Sequence, residues 1–175
     1  KVVDFTSRNT KGYKDLLEKE GKMMLLQKEK ENLNKMIEVI NNNEEMSTQI
    51  NNLSNQYETP MIKNIMGVGW KGKADIVCED KLIDIKTSSS ISDFRYSARK
   101  YNYDSQAYIY QELFNKPLEF FVIDKNTFQL GVFVPGDEFI IRGKEKVEQA
   151  LFMYNTFFSK DSREDINQFI HHEML

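Results

Sequence analysis

The sequence predicts a mixed α/β fold of the α+β kind, in which one mixed β-sheet is flanked by helices and preceded by a helical segment. Two patterns point to it. Short apolar runs bounded by turn residues cluster between residues 60 and 134, and stretches with helical spacing precede, interrupt and follow them. A third observation is length: 175 residues suffice for one sizeable core and little more. The expected division is a helical N-terminal segment over residues 1–54 and a core with a C-terminal helix over 55–175, together making one domain.

In the first segment Leu16, Leu17, Met23, Met24, Leu25 and Leu26 lead into Leu33, Met36, Ile37 and Ile40, which recur at helical spacing. Asn41-Asn42-Asn43 reads as a stop, and Glu44 to Leu53 as a restart. No heptad persists long enough for a coiled coil. Pro60 to Met66 reads as a strand that Gly67 and Gly69 break. Ile76-Val77-Cys78 and Leu82-Ile83-Asp84-Ile85 read as two buried strands of a hairpin, with Glu79-Asp80-Lys81 as its polar turn. Ser88-Ser89-Ser90 is a loop. Ser92 or Asp93 could cap a helix from Phe94 to Phe114. Leu118 to Ile123 and Phe128 to Val134 read as strands joined by the turn at 124–127, and Glu138 to Phe158 as an amphipathic helix carrying Val147, Leu151, Tyr154 and Phe158 on one stripe.

Within this plan one hairpin is chemically out of place. Asp84 stands nine positions after Asp75, and Lys86 follows it by two. Side chains alternate along a strand, so Asp84 and Lys86 share one face, roughly 7 Å apart, while Ile83 and Ile85 are expected to point into the core. Asp75 is expected at the same open end. Carboxylates gathered on apolar strands repel unless a cation lies between them, and hard oxygen donors suit Mg²⁺ or Mn²⁺. Gly72, three residues ahead of Asp75, suggests a close backbone approach by another group. The unexceptional alternative is an ion-pair cluster at a hairpin.

Composition narrows the partners. Lys and Arg total 24 against 27 Asp and Glu, a net charge of −3, so nucleic acid would have to be held by a local patch or through bound metal. No apolar run approaches the roughly 20 residues that cross a bilayer, and no signal-peptide pattern opens the chain, so no membrane partner is expected. Cys78 is the single cysteine; it excludes an internal disulfide or a cysteine-based metal site and agrees with a reducing, cytoplasmic location.

Three ordered motifs carry a resemblance. Gly72-Lys73-Ala74-Asp75, then Asp84-Ile85-Lys86-Thr87-Ser88, then Gln106 to Tyr110 match G-x-x-D, D-hydrophobic-K-T and Q-x-x-x-Y. The sequence therefore resembles the PD-(D/E)xK nuclease superfamily, and within it the RecE-like and RecB-like phage-type exodeoxyribonucleases (exodeoxyribonuclease VIII-like), over most of residues 10–115. The resemblance implies a Mg²⁺-dependent exonuclease acting on the ends of linear duplex DNA in recombination or repair. It implies Asp75, Asp84 and the Ile85 carbonyl as metal ligands, Mn²⁺ as a substitute ion, and Lys86 as the residue that positions or helps deprotonate the attacking water. Gln106 and Tyr110, four apart on one helix face, would touch DNA or orient the catalytic groups. Thr87, Ser88 and Arg99, with Arg95 and Lys100, are candidates for phosphate contacts. DNA is the implied partner, alongside a homo-oligomer and a single-strand annealing protein, in a bacterial or phage-infected cell.

Many superfamily members add an acidic or histidine ligand from a helix ahead of the strands. Glu58 is the candidate here. The RecE and RecB branches use a histidine farther upstream, whereas the first histidines of this sequence are His171 and His172, read as tail residues. Either residues ahead of Lys1 complete the site, or it lacks a ligand. The second case would make the chain a nuclease-like domain that binds DNA or a protein partner without cutting.

Overall fold

The computed structural model describes residues 1–162, 164–167 and 170, so His171 and His172 lie outside the described residues. The chain opens with β1 (Val2–Val3), followed by α1 (Lys11–Glu20). The Thr10 hydroxyl caps α1 by accepting the Tyr13 N–H, and Gly21 ends it in the left-handed region at φ 66°. Next comes β2 (Leu25–Leu26), which pairs with β1 in parallel, an element the helical spacing had hidden. The Tyr13 hydroxyl donates to the Met24 carbonyl and accepts the Met24 N–H, closing a small cluster with Val3 and Leu26. Two helices follow, α2 (Gln27–Asn42) and α3 (Glu44–Ile50). They are separated where the asparagine run predicts, and the Asn43 side chain accepts the Met46 N–H to start the second.

The centre is a five-stranded sheet. Its strands are β3 (Gln56–Ile65), β4 (Val68–Val77) and β5 (Leu82–Ser88), then, after α4 (Phe94–Lys100) and α5 (Tyr103–Phe114), β6 (Leu118–Asp124) and β7 (Leu130–Phe133). The long helix α6 (Asp137–Phe157) completes the order. Strand order follows the chain from β3 to β7, and every pair is antiparallel except β5 with β6. A parallel pair needs a crossover, and α4 with α5 supply it. That requirement lays two helices over the strand bearing Asp84.

Each face of the sheet has its own core. On one, Ala74, Leu82, Phe120 and Val122 pack with Phe94, Ala98 and Ala107 of the crossover helices, against Phe139 and Ile140 of α6. On the other, Ile76, Cys78, Ile83 and Phe121 pack with Met46, Ile40 and Ile50 of the preceding helices. Burial pushes the Cys78 thiol up, consistent with its place in that apolar layer.

Several boundaries differ from the sequence reading. β3 begins at Gln56 rather than Pro60, and Gly69 lies inside β4 instead of ending a strand. The hairpin turns at Met66 and Gly67, both at positive φ. The single helix expected over Phe94 to Phe114 is two, because Asn102 adopts φ 56° and redirects the chain; asparagine tolerates this region at low cost. Asp93 occupies the first cap position without a side-chain bond, and its N–H goes instead to the Ser90 hydroxyl. β7 is four residues long, shorter than Phe128 to Val134, since Phe128 sits at φ 60°. Ile85 does not point into a core; it is 37% exposed. The pairing of β4 with β5 extends only as far as Ile76–Ile83, so the strand around Ile85 has no neighbour on that side.

Candidate active site

The end of the β4–β5 pairing builds the site. Val77 faces Leu82 and Ile76 faces Ile83; one step further in the same register Asp75 would face Asp84, but no ladder bond forms there. The Ile85 N–H instead donates to Asp75 Oδ2 at 2.9 Å, a carboxylate standing where a strand carbonyl would otherwise accept. On the other side of β4 the register also skips Glu58 opposite Asp75, and Glu58 has φ 50°. The alternation of β4 breaks at the same place, since Ala74 and Ile76 belong to opposite cores although two residues apart. This local irregularity sets Asp75 beside Asp84.

Asp84 is 3% exposed on a strand whose neighbours are Leu82 and Ile83. Gln106 of α5 donates its amide to Asp84 Oδ1 at 2.6 Å. Lys86 Nζ lies 2.5 Å from Asp84 Oδ2 as an ion pair, and both side chains are largely withdrawn from solvent. Burial pushes the Asp84 carboxyl above the usual carboxylate range, and the nearby Asp75 charge adds to the rise; Lys86 and the Gln106 amide pull against it. The Lys86 ammonium also sits 4.8 Å from the centre of the Tyr103 ring, which holds it over the site.

The remaining sequence candidates divide. The Tyr110 hydroxyl donates to the Lys73 carbonyl at 2.9 Å, tying α5 to β4 two residues from Asp75. Gly72 makes that approach possible: a Cβ there would lie 2.7 Å from Leu113 Cδ1 and 3.0 Å from Tyr110 Cε1. Thr87 is exposed beside Lys86, while the Ser88 hydroxyl is engaged in its own loop, donating to the Ser90 carbonyl and accepting the Ser90 N–H. Arg95, Arg99 and Lys100 are exposed on α4. Glu58 is not gathered with the two aspartates. It is exposed and forms an ion pair with Lys73.

One functional feature escaped the sequence reading. Asp104, fully buried, receives Arg142 Nε at 2.7 Å and Lys146 Nζ at 2.9 Å from α6, two residues before Gln106. Lys146 also donates to Asn102 Oδ1, and Gly143 lets α6 approach so closely that a Cβ would lie 2.1 Å from the Asp104 carbonyl oxygen. This clamp fixes the start of α5 and hence the helix that delivers Gln106. Its signal was an acid within the aromatic run Tyr101 to Tyr110, where a solvated face is not expected.

A divalent cation fits the donor set. Among the described residues no group of three or more His, Cys, Asp and Glu side chains gathers, so the side-chain donors are Asp75 and Asp84. Mg²⁺ is commonly held by one or two carboxylates with water and substrate phosphate oxygens completing its octahedron. Asp75 and Asp84 are a pair of neighbouring carboxylates of that kind, with the Lys86 ammonium as the cation already at Asp84 Oδ2.

A mixed sheet with two helices crossing over an Asp-x-Lys strand, an aspartate on the neighbouring strand and a helix glutamine between them define a protein of the PD-(D/E)xK nuclease superfamily. The chain belongs to the family described as PDDEXK-like domain of unknown function (DUF3799), whose model matches residues 3–164. Among solved structures it is similar to one described as a putative exonuclease from Eubacterium rectale, with a TM-score of 0.63 and 22% identity over 81% of this chain. The chain spans 60% of the length of that structure. A second structure, SSO0001, aligns at a TM-score of 0.37 and 23% identity over 59% of this chain and 54% of its own, too weakly to carry an argument. No curated protein matches the sequence. Among the described residues, no helix is long and apolar enough to cross a membrane.

Proposed function

We propose that the chain is a Mg²⁺-dependent deoxyribonuclease that acts as an exonuclease on the ends of linear duplex DNA, in recombination or repair of the phage type. The observation that supports this most is the setting of Asp84, a buried carboxylate held by Gln106 on one oxygen and ion-paired with Lys86 on the other, with the Asp75 carboxylate close enough to raise its pKa. In this reading Asp75, Asp84 and the Ile85 carbonyl hold Mg²⁺, for which Mn²⁺ substitutes. When bound, the ion lowers the pKa of a water and neutralises charge on the scissile phosphate. Asp75 uses the Ile85 N–H to fix its own orientation. Gln106 sets the Asp84 rotamer through Oδ1 and leaves Oδ2 turned to the site. Lys86 as an ammonium supplies positive charge for the phosphate oxygens and orients the attacking water; as the neutral amine it would instead help to deprotonate that water. Thr87, Arg99, Gln106 and Tyr110 form the DNA-facing rim; Ser88 supports the loop behind Thr87 through its bonds to Ser90, and Glu58 stays with Lys73 outside the pair of aspartates. Residues 1–54 act as a helical segment that supports the 55–175 core. A homo-oligomer, a single-strand annealing partner and a cytoplasmic location complete the proposal.

The test uses end-labelled linear duplex and a covalently closed circle of the same sequence, each with Mg²⁺ and with a chelator. Nucleotides released from the linear DNA only, and only with Mg²⁺, are expected. Equal digestion of the circle would replace the exonuclease reading with an endonuclease. An inert protein on every DNA would overturn both.

A second reading has an observation of its own. Among the described residues two carboxylates gather rather than three, and Glu58 pairs with Lys73. The chain would then hold DNA or a protein partner without cutting it. DNA affinity indifferent to Asp75→Ala, together with no heat of Mn²⁺ binding, would favour that reading over the first.

A further inference from the structure

The charged face of α4 is built unlike a merely solvated helix. Phe94 and Ala98 supply its buried contacts, leaving Arg95, Tyr96, Arg99 and Lys100 exposed. Tyr96 and Tyr101 are 56% and 59% exposed, so the core has no use for most of either ring. Each ring carries a cation: Arg95 lies 4.9 Å from the centre of Tyr96, and Lys100 lies 5.7 Å from that of Tyr101. Tyr96 and Lys100 are one helical turn apart and so share a face. Tyr101 in turn lies 6.1 Å from Tyr103, the ring that holds the Lys86 ammonium. Lys86, Tyr103, Tyr101 and Lys100 therefore form a run of contacts from the reaction centre to the end of α4, and Tyr96 with Arg95 lies one helical turn further along.

The charge is uncommitted. The helix Phe94–Lys100 has three cations and no acid. Among the described residues no carboxylate forms an ion pair with Arg95, Arg99 or Lys100. In a chain of net charge −3 this island selects a polyanion. Exposed rings add a second requirement, because a base can stack on a side chain only when it has left its own stack. Alternating aromatic and cationic side chains along a surface are the physical basis of single-strand binding.

We propose that α4 and Tyr101 bind a single-stranded stretch of DNA, its bases stacked on Tyr101 and Tyr96 and its phosphates against Arg95, Arg99 and Lys100, leading to the Asp84 site. The proposal deepens the nuclease reading and rests on it for the direction of the strand, since Lys86 and Tyr103 join the track to the reaction centre. It makes an unpaired strand the form in which DNA reaches that centre, and predicts that a duplex end must fray to engage it.

The test is fluorescence anisotropy of the full chain, in chelator so that nothing is cut, with a labelled oligothymidine of about 12 nucleotides and with a blunt hairpin duplex. The paired substitution Tyr96→Ala and Tyr101→Ala is expected to weaken oligothymidine binding by about tenfold or more per ring. The duplex should be much less affected, and Tyr96→Phe with Tyr101→Phe should bind as the wild type does. Arg99→Ala should lower the salt slope of binding by about one. Unchanged oligothymidine affinity in the alanine pair, with an unchanged circular dichroism spectrum, would overturn the track. So would equal weakening on both DNAs, which would mean that the surface holds backbone and not bases. Cleavage of linear DNA by the wild type, measured in parallel with Mg²⁺, separates the two ideas. A protein that cuts but binds oligothymidine equally well without the two rings has no such track. One that needs the rings for binding yet cuts nothing keeps the track and loses the nuclease reading.

Discussion

The two faces of the sheet are buried alike and built from opposite materials. Beneath α2 and α3 the layer of Ile76, Cys78, Ile83, Phe121 and Met46 is entirely apolar. Beneath α4, α5 and α6 the sheet carries Phe120 and Val122 but also Asp84, and the helices above bring Gln106 and the fully buried Asp104. The first face is held by burial alone, which tolerates any side chain of similar shape. The second must satisfy each polar atom or leave it unpaired at a cost of about 1–3 kcal/mol. Asp104 is held by two cations of α6 and by the Ser105 N–H, whereas Asp84 has the Gln106 amide on one oxygen and the Lys86 ammonium on the other, with a second carboxylate close by. On the proposed function, that difference separates the group that positions the helix from the group that would hold the ion.

The largest effect that could break this contrast is expected at Asp104. Asp104→Ala leaves Arg142 and Lys146 without their shared carboxylate and should cost about 3–5 kcal/mol. For a domain of this size that lowers the melting temperature by about 10 °C or more, readable by calorimetry. The same clamp gives an acid limit. Burial alone would raise the Asp104 carboxyl, but the Arg142 and Lys146 hydrogen bonds outweigh it and hold the carboxyl below its ordinary value. The clamp's contribution is therefore complete above the unfolded value of about 3.9, and it fades as pH falls through the lower folded value. Thermal melts from pH 5 down to 2 should show this loss in the wild type and not in Asp104→Asn.

Asp75→Asn should do the reverse. Its amide oxygen can still accept the Ile85 N–H, so the melting temperature should stay within a few degrees, while cleavage of linear DNA falls by about 10²–10³-fold. On the apolar face Met46→Ala should cost about 3 kcal/mol by leaving a cavity. Activity per folded molecule, from turnover corrected for the folded fraction, should not change. The smallest effect is expected for Tyr110→Phe, which removes one hydrogen bond to the Lys73 carbonyl. About 1 kcal/mol or less of stability should be lost by chemical denaturation.

The apolar face was the more legible in the sequence. Alternation placed Ile76 and Ile83 within strands, and the asparagine run divided α2 from α3 where the structure divides them. The motif order placed Asp75, Asp84, Lys86 and Gln106 on elements that the fold does bring together. What alternation could not show is where it fails. Asp75 joins Asp84 through a break in the β4 register, and Ile85 is exposed where the pairing with β4 has already stopped, two residues back at Ile83. The split of α4 from α5 turns on the backbone of Asn102, which no periodicity records. The Asp104 clamp joins residues 38 and 42 positions apart, beyond the reach of any local pattern.

The most direct test of the central claim is Mn²⁺ binding by titration calorimetry, comparing wild type with Asp84→Asn in samples whose melting temperatures are measured together. The account predicts a binding isotherm for the wild type and none for Asp84→Asn. It also predicts a melting temperature for the variant within a few degrees of the wild type, since the neutral amide removes a buried charge and still accepts from Gln106 while Lys86 loses its ion-pair partner. The same isotherm for both proteins would contradict the assignment of Asp84 as the group that holds the ion.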